Sequence, residues 1–199
     1  MKVRGVIIAA GESSRFGAAK ALLEVEGGTV LSRVAGALSL GGCDDLLIVC
    51  GGTYQKSIEE ESERISVRSV VNVDPADGPI SSIRVAMESP GEWDAILIHP
   101  VDVVGVKSTD VSGLIESFRK EVGAFDVWVV SHQMRRGHPL LVVREKVVRL
   151  LEKDGPPHLR ALLAQDDVRI QHVVTDNSLV LEDVDDREDW DRIYPLLTD

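Results

Sequence analysis

The chain has 199 residues, 44% of them hydrophobic and only 4% aromatic, which suffices for one domain whose core is built mainly of Val, Leu, Ile and Ala. Its formal net charge of −11 argues against nonspecific nucleic-acid binding and against a membrane surface. No apolar run approaches the roughly 20 residues that span a bilayer, and Cys43 and Cys50 are too few for a disulfide framework, so a cytoplasmic protein is expected.

In chain order, the apolar runs 3–10, 45–50, 65–71, 94–101 and 125–131 read as β-strands. They are near-continuous rather than alternating, the pattern of strands covered on both faces in a mainly parallel sheet. Helical segments fall between them at 29–40, 53–63, 80–88 and 108–121. The last has Ser108 or Thr109 as N-cap and places Leu114, Ile115 and Phe118 at helical spacing. This alternation predicts an α/β fold, a three-layer Rossmann-like sandwich with right-handed crossovers. After residue 131 the rhythm changes. A strand at 137–143 precedes two short helices, 144–154 and 157–165, around Gly155-Pro156-Pro157. Strands at 168–174 and 178–184, read as antiparallel additions that leave the sheet mixed, lead to a final helix at 186–194 with Trp190, Ile193 and Tyr194 on one face. With no repeat, low-complexity tract or linker, residues 1–199 read as one domain.

The stretch IIAAGESSRFGAAKALLEV, 7–25, leaves the first strand through Ala9, Ala10 and Gly11 and soon presents Arg15 and Lys20. Small residues let backbone N–H groups face a phosphate, and two cations can neutralise its oxygens. The dinucleotide pattern G-x-G-x-x-G is absent, and the P-loop spacing fails because Lys20 stands three residues past Gly17. Charge is unevenly spread: residues 1–35 carry +2 and residues 182–199 carry −6. A basic entrance on an acidic protein suits a small anionic ligand better than a polymer.

AAGESSRFGAAKALL resembles the signature A-A-G-x-S-x-R-M-G-x-x-K-x-L-L of the MobA-like nucleotidyltransferases, with Phe16 in place of the methionine. DGPISSIRVAM (77–87) is similar to the family's base-contacting segment, and ILIHPVDVVGV (96–106) to the strand that ends in its metal-binding aspartate. GHPLLV (137–142) resembles the Gly-His-Pro segment on the acceptor side, and LEDVDDREDWDRI (181–193) the L-x-D-I-D-T-P-E-D-L segment. Departures are Val103-Val104 after the aspartate, Asp186-Arg187 for Thr-Pro, and a loose match over 154–163.

The resemblance implies a nucleotide-diphospho-sugar transferase-like sheet and transfer of a nucleotidyl group from a nucleoside triphosphate, CTP or GTP, to a small phosphorylated acceptor of the molybdopterin kind. It implies Arg15 and Lys20 on the triphosphate, with Ala9, Ala10, Gly11, Ser13, Gly78, Ser81 and Ser82 around the nucleotide. Asp102 and Asp185 would bind Mg²⁺, with Arg15, Lys20 and Asp102 the catalytic set and His138 on the acceptor side. Each also has an ordinary reading. Asp102 can start a turn, Asp185 can cap the last helix with Glu188 in a capping box, Ser81 and Ser82 can cap theirs, and His138 can shape a turn before Pro139. His99 reads as structural, and Gly51-Gly52 as a turn or a nucleotide neighbour. A sugar-phosphate acceptor, a nucleotide-binding accessory protein without turnover, and an oxidoreductase disfavoured by the missing glycine fingerprint are the competing readings.

Overall fold

The computed structural model describes residues 1–12, 16–75 and 78–197. In chain order the elements are β1 (Val3–Ala9), a small hairpin of β2 (Glu24–Val25) and β3 (Gly28–Thr29), α1 (Val30–Leu40), β4 (Asp45–Cys50), α2 (Gln55–Arg64), β5 (Arg68–Val71) and α3 (Pro79–Glu88). Then come β6 (Ala95–Pro100), α4 (Ser108–Lys120), β7 (Val127–His132), β8 (Arg135–Val143), α5 (Arg144–Val147), α6 (Leu159–Leu163), β9 (Ile170–Val174) and α7 (Arg187–Leu197). The main sheet has the order β5-β4-β1-β6-β8-β7-β9. All its described pairings are parallel except those of β8 with β6 and β7. The carboxyl ends of β1, β4, β5 and β6 therefore lie along one edge, where open α/β sheets bind ligands.

Apolar residues cover both faces of the sheet. One cluster joins Ile7, Ile48 and Leu97 to α1, α2, α4 and α7, and includes the edge-to-face pair Phe118–Trp128 at 5.1 Å. The other joins Val6, Val49 and Ile98 to Ile83 of α3 and Leu162 of α6. Arg4 breaks the apolar pattern of β1, yet it is fully buried and fully used. Its guanidinium donates to the Asp45 carboxylate at 2.8 Å and to the carbonyls of Ala86, Ser89 and Pro90 at 2.7–3.0 Å, closing the last turn of α3. No described helix is long and apolar enough to cross a membrane.

Several local expectations are corrected. α4 is capped by Lys107, whose N–H donates to Asp110, rather than by Ser108 or Thr109. Residues 144–154 form α5 and a 3₁₀ turn at Val148–Leu151, not one helix. β9 runs parallel to β7, because β8, not β9, is the reversed strand. The run 178–184 is no strand: Ser178–Leu181 is a 3₁₀ turn capped by Asn177, whose side chain accepts from Leu179 N–H at 3.2 Å. Leu179 and Val180 are buried there, and a Cβ at Gly137 would sit 2.4 Å from the Val180 carbonyl oxygen. Three consecutive apolar residues in a plug look like a strand in one dimension. That plug carries the chain back across the sheet edge toward Asp185.

Candidate active site

β1 delivers Ala9 and Ala10, both buried, to the carboxyl edge, and Gly11 follows. Ser13 and Arg15 lie outside the described residues. The chain re-enters at Phe16, which is buried, and Lys20 opens a 3₁₀ turn at Lys20–Leu22. Lys20 is itself only 8% exposed. Its Nζ lies 3.2 Å from Asp185 Oδ1 and 3.5 Å from Asp102 Oδ2. Three residues separated by up to 165 positions thus meet at one point.

Backbone geometry fixes the meeting. Asp102 follows β6, and its carbonyl accepts from Val184 N–H at 2.9 Å, which sets Asp185 alongside. The Asp186 carboxylate accepts from Asp189 N–H at the start of α7, and Asp189 in turn accepts from Asp185 N–H. The expected cap formed by Asp185 and Glu188 is therefore replaced by Asp186 with Asp189, and the Asp185 side chain is turned to Lys20. Burial holds the Asp102 carboxyl above its ordinary value of 3.8; Lys20 opposes the shift and Asp183 adds to it.

Lys20 and Asp102 line a cleft of about 180 Å³ with Ala9, Gly11, Tyr54 and Pro79. A second slot, about 110 Å³, adjoins it and is lined by Ala10, Gly11, Gly78 and Ser82. Gly78 caps α3 with φ +73°, and an added Cβ there would meet nothing within 4 Å, so the backbone turn rather than space demands glycine. Ser81 and Ser82 do not cap this helix as the N-terminal residue. Both hydroxyls instead accept from the Asn72 side-chain amide, at 2.8 and 3.0 Å, while Ser81 donates to Gly78. Asn72 was not singled out from sequence; its only signal is a polar residue directly after an apolar strand.

His138 sits near the same edge, its peptide to Pro139 cis. Burial lowers its imidazole to about 4, with Asp183 opposing. His99 is completely buried, donates from Nε2 to Val103 O at 2.9 Å, and faces His138 edge-on with ring centroids 6.4 Å apart. It thereby anchors the turn that carries Asp102, a refinement of the structural role expected. Gly52-Thr53 meets the loop after β1 directly, since Thr53 Oγ1 donates to Glu12 at 2.8 Å. Two departures from the family signature also meet: the Arg187 guanidinium stacks on Phe16, 4.6 Å from the ring centroid.

As a donor set, Asp102 and Asp185 fit Mg²⁺, which takes one or two carboxylates and completes its shell with phosphate oxygens and water. No group of three or more His, Cys, Asp or Glu able to hold a metal occurs among the described residues.

Comparisons with known proteins cover most of the chain. A family model describing a MobA-like NTP transferase domain matches residues 5–172. The nicotine blue oxidoreductase of Paenarthrobacter nicotinovorans is 30% identical over 98% of this chain and 96% of its own. The molybdenum cofactor cytidylyltransferase of Escherichia coli K12 is 25% identical over 93% of this chain and 92% of its own. Among solved structures, Rv0371c of Mycobacterium tuberculosis H37Rv in complex with manganese superposes with a TM-score of 0.79 at 23% identity, covering 98% of this chain and 99% of that one, a likeness of fold. By the extent of the family match, the chain belongs to the MobA-like NTP transferases, a family of nucleotidyltransferase enzymes.

Proposed function

We propose that the protein, acting as a single domain in the cytoplasm, transfers a nucleoside monophosphate from CTP or GTP to a small phosphorylated acceptor of the molybdopterin type and releases pyrophosphate. The observation that carries this reading is the convergence of Lys20 on Asp102 and Asp185 beside the cleft at the carboxyl edge. An acceptor phosphate oxygen attacks the α-phosphorus, the bond to the β,γ-diphosphate breaks, and the excess negative charge leaves on pyrophosphate. Such a reaction needs positioned counter-charge more than a covalent nucleophile.

Lys20, with Arg15, holds the triphosphate, and Lys20 lines the cleft of about 180 Å³ at the carboxyl edge. Ala9, Ala10 and Gly11 bring backbone close to the phosphates, and Gly78, Ser81 and Ser82, tied by Asn72, bound the base slot. Asp102 and Asp185 would hold Mg²⁺, which when bound supplies further charge neutralisation on the phosphates. The test is pyrophosphate release from each of CTP, GTP, ATP and UTP with Mg²⁺ and a panel of phosphorylated acceptors. Release with one donor supports the reading; tight nucleotide binding without release from any pair points to an accessory protein.

The 30% identity to an oxidoreductase over nearly the full length favours a second reading, redox chemistry on an organic ring substrate. Oxidation of NADH or NADPH in the presence of a redox dye, abolished in the Lys20→Met variant, would favour it over transfer.

A further inference from the structure

Among the described residues, Lys20 is the one lysine that pairs with two carboxylates. Lys2, Lys120 and Lys146 each pair with a single one, and all three side chains are more exposed than that of Lys20. The Lys20 ammonium is directed to Asp185, at 3.2 Å, and to Asp102, at 3.5 Å, the two groups that fit Mg²⁺ as a donor set. A lysine and a divalent ion at one pair of carboxylates compete, because they carry like charge and seek the same lone pairs. The same lysine also lines the cleft, so two anionic partners lie within its reach.

The local structure allows the side chain to move between them while its surroundings stay in place. Leu22 N–H donates to Ala19 O at 3.0 Å, Leu23 N–H to Lys20 O at 3.2 Å, and Val30 N–H to Leu23 O at 2.9 Å. These bonds tie the Lys20 turn to the start of α1, so the freedom left is in the four-carbon stem. The cleft of about 180 Å³, bounded by Ala9, Gly11 and Tyr54, is the space into which that stem can swing. The carboxylates are anchored separately: Val184 N–H donates to Asp102 O at 2.9 Å, and Asp185 N–H donates to the Asp189 carboxylate at 3.0 Å. Lys20 is thus a movable cation between fixed anions and a cleft.

We propose that Lys20 is the resident counter-ion of Asp102 and Asp185, that it keeps the pair closed to a divalent ion, and that it releases them when a phosphate draws its ammonium into the cleft. One side chain then couples the two binding events, since either partner weakens the claim of Lys20 on the other. The release by phosphate rests on the transferase reading; the exclusion of a metal by Lys20 does not.

The experiment has two arms on the full-length protein. In the first, Mn²⁺ alone is titrated into nucleotide-free protein and the free ion is followed by electron paramagnetic resonance. Wild type is compared with Lys20→Met, with Lys20→Met/Asp102→Asn, and with Lys120→Met, which changes net charge equally at the C-terminal end of α4. Lys20→Met should bind Mn²⁺ about tenfold more tightly than wild type. Adding Asp102→Asn should cancel that gain, and Lys120→Met should match the wild type. Mn²⁺ should also raise the Tm of Lys20→Met more than that of wild type, a readout that requires the variant to be folded. In the second arm, CTP and GTP are titrated calorimetrically in EDTA. Asp102→Asn loosens the hold on Lys20 and should tighten metal-free nucleotide binding about tenfold, whereas the double variant, with no lysine to release, should show no gain. Equal Mn²⁺ affinity in wild type and Lys20→Met, or an equal gain in Lys120→Met, overturns the proposal and leaves the transferase reading standing where a nucleotide binds. A nucleotide gain that persists in the double variant overturns the release step. A Mn²⁺ gain confined to Lys20→Met in a protein that binds neither nucleotide supports the exclusion by Lys20 and overturns the transferase reading instead.

Discussion

Replacing Lys20 by methionine removes the cation on which two carboxylates converge. The two Lys20 contacts, 3.2 and 3.5 Å, set an upper bound of about 7 Å on the separation of the Asp102 and Asp185 oxygens. At that distance and an effective dielectric constant of about 20, bare repulsion is about 2 kcal/mol. Both carboxylates are about a third exposed, so solvent reduces this to roughly 1 kcal/mol, a fall in Tm of about 2–4 °C for a chain of this size. The chain should therefore remain folded. Turnover should fall much further, because removing a cation aimed at developing phosphate charge costs on the order of 3–4 kcal/mol, a factor of about 10²–10³ in kcat. The assay pairs pyrophosphate release with thermal unfolding monitored by circular dichroism. Adding Asp185→Asn to Lys20→Met should restore most of the Tm and none of the activity. Near-normal turnover in Lys20→Met, or a Tm that Asp185→Asn fails to raise, would refute the reasoning.

Other consequences are more local. Arg4→Met leaves the carbonyls of Ala86 and Ser89 without this donor and leaves Asp45 and Pro90 only Arg68, and should destabilise the protein by about 3–5 kcal/mol in urea titration. A double-mutant cycle of Phe16→Leu and Arg187→Gln should return a coupling of about 0.5–2 kcal/mol for the contact between the signature loop and α7; additive losses would show that the contact carries nothing. His138 is held near 4 in the fold against 6.5 when unfolded, so the unfolded chain takes up its proton first. Its contribution to stability is complete above pH 6.5 and is lost as pH falls toward 4. In His138→Phe the fall in unfolding free energy across that window should shrink, by on the order of 2 kcal/mol after allowing for partial exposure.

The fold was largely readable because both faces of the central strands are covered, so each appears as an unbroken apolar run such as DLLIVC at Asp45–Cys50. Where apolar runs serve another purpose, the reading fails: Ser178–Leu181 is a plug under Gly137, not a strand. Strand direction was equally hidden, since nothing in the residues of β8 distinguishes a reversed strand from a parallel one. For the site, the family resemblance singled out Lys20, Asp102 and Asp185, and the structure brings them together. It could not show that Asp186 rather than Asp185 caps α7, because adjacent carboxylates are interchangeable until the helix start is fixed. Asn72 stayed invisible for a plainer reason: it acquires meaning only through Ser81 and Ser82, nine and ten residues on.

The most direct test of the central claim is calorimetric titration of CTP, GTP, ATP and UTP, each with and without Mg²⁺, into the wild type and Asp102→Asn. The account predicts that CTP or GTP binds tightly, that binding depends on Mg²⁺, and that Asp102→Asn removes the Mg²⁺ dependence. Absence of binding to all four nucleotides, or equal binding with and without the metal in both proteins, would contradict it.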